Sequence, residues 1–360
     1  MTLAFAQAVI DWQKQFGRHN LPWQTKLNQA ADPYAIWVSE IMLQQTQVTA
    51  VIGYFAKFMV RFPTIHALAN ASQEAVLQSW SGLGYYSRAR NLHASAIKMM
   101  DEFNGAFPRQ FDDILSLPGI GRSTAAAIST FAHDMPQPIL DGNVKRVFAR
   151  YFNITGATNT PNVVQTMWQI AERENPTNAL DAIIYTQGLM DLGATLCTRS
   201  KPRCNDCAMN ISCLAYANQS VHLLPTPKPR KKTPKKSTTM LIMLHENKVL
   251  LEKRPPNGIW GGLWSLPEIA MHEDATAVAL TRFGASAKAE DILTVINHAF
   301  THYKLAIHPQ PLQLISKPPQ SQHVAIIWLP MNDAINAAIP TPVRKILSLI
   351  QHTNQSTHQK

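Results

Sequence analysis

A chain of 360 residues, 46 % of them apolar, is long enough for two domains with separate cores and too hydrophobic to be disordered. Its 33 basic and 23 acidic residues leave a net charge of +10 and a pI near 9.5, which favours a polyanionic partner, nucleic acid before membrane. No apolar run approaches the ~20 residues of a membrane span. The first residues carry no basic region leading into an apolar stretch, and Asp11 interrupts the segment after them, so the reading places the protein in the cytoplasm.

In chain order, Phe5, Val9, Trp12 and Phe16 recur at helical spacing over 2–16. Gly17-Arg18-His19-Asn20-Leu21-Pro22-Trp23 comes next as a loop. Asp32-Pro33 starts a helix, Asp as cap and Pro in the first turn. That helix carries Ile36, Trp37, Ile41 and Leu43, and Glu40 rides on it. By itself Glu40 reads as a surface carboxylate. Gln44-Gln45-Thr46-Gln47 leads into a second helix through Met59. Gly82-Leu83-Gly84-Tyr85-Tyr86 is a turn, and Ser87-Arg88-Ala89-Arg90 opens a basic helix.

Residues 111–132 read as helix, Pro-Gly hairpin, helix, around Leu117-Pro118-Gly119-Ile120-Gly121-Arg122-Ser123. Gly119 and Gly121 permit a tight turn and a close approach of backbone to a ligand. The second helix points free N–H groups and its positive dipole end outward, a phosphate site to which Arg122 adds charge. An ordinary helical turn is the plainer alternative. Asp141 precedes a helix beginning at Asn143, where a carboxylate is stabilised as an anion or simply caps the helix.

All four cysteines, Cys197, Cys204, Cys207 and Cys213, fall in one short segment. A C-x6-C-x2-C-x5-C run suits a cubane iron–sulfur cluster. Structural zinc usually takes two separated C-x2-4-C pairs, and only one exists here. Two disulfides would need a secreted chain that requires stapling. Arg199, Lys201 and Arg203 lie within the loop, as a phosphate clamp or as a solvated surface.

Residues 225–237 form a Pro- and Lys-rich linker, extended by proline and by like-charge repulsion. Beyond it the pattern becomes strand-like at 239–244, 248–252, 293–296 and 323–329, with helical stretches at 273–283 and 341–351, an α+β domain. The tail from His352 is polar and expected to fray.

Taken together, these stretches resemble the helix-hairpin-helix DNA glycosylases with an iron–sulfur cluster, the endonuclease III superfamily, and within it the adenine DNA glycosylases of the MutY type. The matching residues are Trp37-Val38-Ser39-Glu40-Ile41-Met42-Leu43-Gln44-Gln45-Thr46, the turn at 82–86, the hairpin at 117–123, Leu140-Asp141-Gly142-Asn143-Val144 and the four cysteines. The resemblance implies a multidomain chain. An all-α helix-hairpin-helix core with a cluster loop (197–213) occupies 1–224, the linker 225–237, an α+β MutT/Nudix-like domain 238–350 and a polar tail 351–360. Within the third of these, Asn257–Glu268 resembles the opening of a Nudix motif, but no Arg-Glu-x-x-Glu-Glu box comes after it. Without that box there is no Mg²⁺ site for pyrophosphate hydrolysis, and the domain reads as a lesion reader.

By the same resemblance Glu40 is the acid that protonates adenine, Asp141 the carboxylate that stabilises the sugar cation, and Asn143 a hydrogen-bonding partner of the catalytic groups or the sugar-phosphate. The four cysteines hold a [4Fe-4S] cluster. Gln45 and Tyr85 fill the gap around the partner base. Gly119, Gly121, Arg122, Ser123, Arg199, Lys201 and Arg203 contact DNA. Phe300, Thr301 and His302 recognise 8-oxoguanine, Thr301 standing where the family often has Ser. Trp23 and Asp191 line the adenine pocket. Ser123 stands where bifunctional relatives carry a lysine, so no amine is available for Schiff-base strand cleavage. The expected partner is double-stranded DNA holding adenine opposite 8-oxoguanine or guanine, bound by a monomer. A glycosylase/lyase for oxidised pyrimidines and a non-catalytic, cluster-bearing DNA-binding protein are the competing readings.

Overall fold

The structure, a computed structural model, describes residues 5–25, 29–227, 233–300, 302–315 and 325–357. Two compact units divide the chain: Met1–Asn70 with Asn91–Arg230, and Ala71–Arg90 with Lys231–Lys360. The sequence reading keeps 71–90 with the helical domain, whereas its contacts place it in the second unit.

The first unit is helical. Its elements are α1 (Phe5–Phe16), α2 (Pro33–Leu43), α3 (Val48–Arg61) and α4 (Ile65–Ala69). After α5 (Gln73–Ser79), which lies in the second unit, α6 (Ser87–Phe103) carries the chain back. Then come α7 (Phe111–Leu115), α8 (Arg122–His133), α9 (Gly142–Tyr151), α10 (Pro161–Glu174), α11 (Ala179–Asp191), a π-helical turn at Leu192–Leu196 and α12 (Leu214–Ala217). Asp32 caps α2 by accepting from Tyr34 and Ala35 N–H, worth about 1 kcal/mol. Tyr34, Ile36, Trp37, Val38, Ser39, Ile41 and Met42 of α2 are all buried, so Glu40 is a carboxyl group on a core helix. A second core gathers Phe5 of α1 against Phe148, Tyr151, Phe152 and Tyr185, with ring centroids 4.4–6.3 Å apart.

The second unit is built on an eight-stranded sheet: β1 (Lys235–His245), β2 (Lys248–Lys253), β3 (Trp264–Ser265), β4 (Glu268–Ile269), β5 (Ala287–Ala289), β6 (Ile296–Ala299), β7 (Lys304–Leu314) and β8 (Ile326–Pro330). The main path is β3-β2-β1-β7-β5, with β1 and β7 parallel and the remaining pairs antiparallel. Helices α13 (Ala275–Phe283), α14 (Met331–Asn336) and α15 (Thr341–Thr357) complete it. Strand β1 begins inside the expected linker, with Lys235 in register with Lys304. Residues 228–232 of that linker lie outside the described residues.

Two expectations are corrected. Residues 293–295 are not strand, because the stretch opposite them on β7 holds Pro309 and Pro311. Those residues accept from Leu293 and Glu290 N–H but have no N–H to return, so no ladder forms. Helix α15 also continues to Thr357, six residues past the expected end at 351, since nothing in 352–357 is a helix breaker.

Segment 71–90 is secured inside its unit by polar contacts. Glu74 accepts from Trp264 Nε1 at 2.6 Å and pairs with Lys253 at 3.3 Å. Gln78 donates to the Asn336 carbonyl at 2.9 Å, and Arg344 donates to Ser81 Oγ at 2.8 Å. Among the described residues no helix is long and apolar enough to cross a membrane.

Candidate active site

The hairpin between α7 and α8 is formed as its glycines demand. Gly119 has φ +80°, and a Cβ there would meet the Asn91 side chain at 2.8 Å, so both conformation and space require glycine. Gly121 is the N-cap of α8 and supplies no side chain to the helix's first N–H groups, leaving that end suited to an anion. Arg122 is more committed than the sequence implies. Its guanidinium stacks 3.8 Å from the Trp168 ring centroid and pairs with Glu172 at 2.7 Å. Ser123 Oγ accepts from Leu140 N–H at 2.9 Å, which ties the hairpin to the residue before Asp141.

Asp141 is the N-cap of α9, accepting from Val144 N–H at 2.8 Å. Burial raises its pKa; the backbone N–H groups of Val144 and Asn143, then the charges of Arg146 and Lys145, oppose that rise. Glu40 has no such support. Burial in the α2 surroundings, then the nearby Asp141 charge, pushes it up to about 8. Helix α2 packs on α8, and α8 is bonded to the Asp141 segment through Ser123, so the two carboxyl groups face one another electrostatically. Burial raises both carboxyl groups, and only Asp141 has backbone N–H donors and nearby cations working against the rise.

Asn143 is held from behind. Its Oδ1 accepts from Arg146 at 2.9 Å, and Arg146 also donates to the carbonyls of Gly193 (2.7 Å) and Cys197 (2.8 Å). Gly193 sits in the π-helical turn, where a Cβ would fall 2.6 Å from Asn143 Cβ. The backbone at 193–197 thus packs directly against the residues beside Asp141. Sequence reasoning missed Arg146 and Arg150. Their only signal is an i, i+4 pair of arginines on a helix that is otherwise largely apolar.

Arg150 organises the cysteine loop. It is 3 % exposed, and donates to the carbonyls of Thr198 (2.7 Å), Arg199 (3.1 Å), Val221 (3.2 Å) and Leu224 (2.9 Å), and to Cys197 Sγ at 3.3 Å. Cys197, Cys204, Cys207 and Cys213 are unpaired, half-buried and line one hollow of about 40 Å³. Among the described residues no three His, Cys, Asp or Glu side chains converge as they would around a single ion. Burial pushes the Cys207 thiol up to about 11, the Met209 N–H opposes that rise, and the charges of the other three thiols add to it. Four thiols around one hollow are the donor set that an iron–sulfur cluster takes. Arg199, Lys201 and Arg203 are exposed around the loop, Arg203 pairing loosely with Asp206 at 3.7 Å.

The remaining sequence candidates fall in varied settings. Gln45 and Tyr85 both have left-handed backbone, φ +56° and +49°, a strain of roughly 1–2 kcal/mol each. Tyr85 is 47 % exposed. Asp191 is fully buried and takes hydrogen bonds from Arg18 N–H (2.7 Å), Arg18 Nε (2.8 Å) and Gln187 (2.8 Å). Trp23 is buried edge-on to Phe55, centroids 5.4 Å apart. These bonds make Asp191 the anchor of the loop that leads to Trp23. Phe300 N–H donates to the Tyr303 carbonyl at 2.9 Å and His302 is exposed; Thr301 lies outside the described residues. At the end of the stretch that resembles a Nudix motif, Glu268 is paired with Arg254; before that stretch, Glu252 takes a forked pair from Arg282 at 2.6 and 2.7 Å.

A hairpin before a helix N-terminus, joined through a serine to an aspartate that caps the next helix, with a glutamate on a core helix within reach of that aspartate's charge, is the arrangement of a base-excision glycosylase core. Residues 38–173 match the model of the HhH-GPD superfamily base excision DNA repair proteins, and residues 238–349 match the NUDIX domain. The structure of a thermostable thymine-DNA glycosylase superposes with a TM-score of 0.53 at 28 % identity, covering 59 % of this chain and 95 % of that one. An adenine DNA glycosylase of Buchnera aphidicola subsp. Baizongia pistaciae (strain Bp) is 38 % identical over 100 % of this chain and 99 % of its own length. The adenine DNA glycosylase of Homo sapiens is 31 % identical over 98 % of this chain and 75 % of its own. The chain belongs to the adenine DNA glycosylase family, enzymes of base excision repair.

Proposed function

We propose that the enzyme removes adenine mispaired with 8-oxoguanine or guanine from double-stranded DNA, leaving the strand intact. What supports this is the unequal setting of two carboxyl groups: Glu40 is pushed up to about 8 by burial and by the Asp141 charge, while the rise that burial gives Asp141 is opposed by the Val144 and Asn143 N–H groups and by Arg146 and Lys145. Adenine leaves only if it is protonated as the glycosidic bond breaks and if the oxocarbenium-like sugar is stabilised. Glu40 supplies the proton at adenine N7 and then manages the attacking water. Asp141, oriented by the Val144 N–H, stabilises the cationic sugar, and Asn143 bonds the catalytic groups or the sugar-phosphate. The adenine is reached by flipping it out of the stack. Gln45 and Tyr85 then fill the space it leaves, and Trp23 and Asp191 line its pocket.

The hairpin N–H groups and the cations Arg199, Lys201 and Arg203 hold the backbone. Ser123 offers an acceptor to Leu140 N–H rather than a nucleophilic amine, so strand cleavage has no route. The four cysteines hold a [4Fe-4S] cluster, which supplies iron–thiolate bonds that staple the 197–213 loop. Residues 300–302 recognise 8-oxoguanine. The protein acts as a monomer on the chromosome in the cytoplasm.

Incubation with a duplex containing adenine opposite 8-oxoguanine, with alkali added afterwards, gives a break at the adenine position; no alkali-dependent break would overturn the reading. Borohydride treatment of the same mixture yields no covalent adduct, and a strong adduct would favour the lyase alternative. The rate of base removal is expected to fall as pH rises through about 8, because Glu40 must carry its proton. Single-turnover rates measured across that range test this.

A further inference from the structure

Trp260 holds φ +58°, a left-handed conformation that costs a bulky residue about 1–3 kcal/mol. The surrounding turn enforces it. Arg254 N–H donates to the Leu263 carbonyl (2.9 Å), Gly262 N–H to Pro255 (3.0 Å) and Leu263 N–H to Trp260 (3.1 Å). On one side the loop grips a hairpin. The Trp260 ring, 8 % exposed, lies 5.6 Å from His298 and 5.1 Å from Phe300 by centroid, with Arg254 over its face at 5.7 Å. Phe300 in turn packs on Tyr303 at 4.7 Å, across the bond that closes the β6–β7 hairpin.

On its other side the same loop meets segment 71–90 of its own unit. The Gly261 carbonyl accepts from Arg90 at 2.8 Å. The Gly262 backbone lies so near α5 that a Cβ would touch Gln73 and Leu77, both at 3.5 Å. This segment bears Tyr85, whose ring stacks with the Arg88 guanidinium at 5.5 Å.

We propose that Trp260 and Arg90 are positioning residues for discrimination of the base opposite adenine: the 255–263 loop locks Phe300 and Tyr303 to the Tyr85 turn, so that reading the lesion and filling the gap are done by one rigid body. The inference rests on the reading that residues 300–302 recognise 8-oxoguanine and Tyr85 fills the gap.

The test measures single-turnover rates of the full chain on adenine opposite 8-oxoguanine and opposite guanine, for wild type, Arg90→Met, Trp260→Asn and the double variant. Asn tolerates the left-handed backbone, so only the ring is lost. Each single variant lowers the ratio of the two rates about tenfold with the guanine rate unchanged, and the double variant also lowers it about tenfold rather than a hundredfold. Arg90→Met removes the link to Gly261 and leaves the aromatic cluster intact, so it stays informative if the Trp260 variant misfolds. An unchanged ratio in Arg90→Met, a hundredfold loss in the double variant, or an equal fall in both rates would overturn the proposal. A wild type that treats the two duplexes alike would instead sink the underlying reading of residues 300–302, and the loop's role with it.

Discussion

Glu40→Gln lowers the rate of adenine removal by at least about a thousandfold, because the amide has no proton to give and the departing base is left to leave as an anion. The same variant melts higher than wild type at alkaline pH. Glu40 is raised to about 8 in the folded chain from its ordinary 4.5, so the folded state grips the proton more tightly than the unfolded state does. That preference contributes stability in full below the unfolded value, and it is lost as pH rises from there through about 8. Glutamine avoids the loss, so the two proteins melt alike near pH 4 and diverge progressively toward the folded pKa. Single-turnover assays and melting curves on one preparation separate the two effects. Wild-type activity in the variant would remove Glu40 from the chemistry. A melting difference that did not widen with pH would contradict its burial as a neutral acid.

Arg150→Met destabilises the protein by about 3–5 kcal/mol and lowers its iron content. The arginine is buried in carbonyl groups that belong to two distant stretches, 198–199 and 221–224, and it reaches Cys197 Sγ as well. Methionine fills part of the volume but leaves those acceptors without a donor. Arg150→Lys keeps the charge yet loses the planar fork, and falls between the two. Thermal melting and iron-to-protein ratio measure the outcome. A methionine variant that melts like wild type and retains full iron would show that the loop is held by its cysteines alone.

How much of the fold and site is legible in the chain differs by element. The hairpin and the cysteine run announce themselves locally, through glycines that need a positive φ or a close approach and thiols too clustered to be accidental. Glu40 does not. Its helix is buried nearly all round, and only resemblance marks its carboxyl group as anything but a surface charge. Arg146 and Arg150 escape notice because the helix they sit on reads as amphipathic, with basic residues toward water. Their carbonyl partners lie some fifty to seventy-five residues further along, beyond any periodicity. Segment 71–90 gives no local sign of its partners for the same reason: its composition does not change, and only the fold shows its contacts with Lys253, Trp264, Asn336 and Arg344. The strand-like stretch at 293–295 is lost to two prolines on another strand.

That excursion of 71–90 has a consequence for the order of synthesis. The chain makes α5 early, yet Leu77 waits for Gly262, and Glu74 waits for Lys253 and Trp264, all made well over a hundred residues later. At roughly 5–20 residues per second, the interval is on the order of ten to thirty seconds. During it a nascent chain carries α5 without its partners, so these contacts of the segment bearing Tyr85 form only after the first three of the sheet's eight strands have been made.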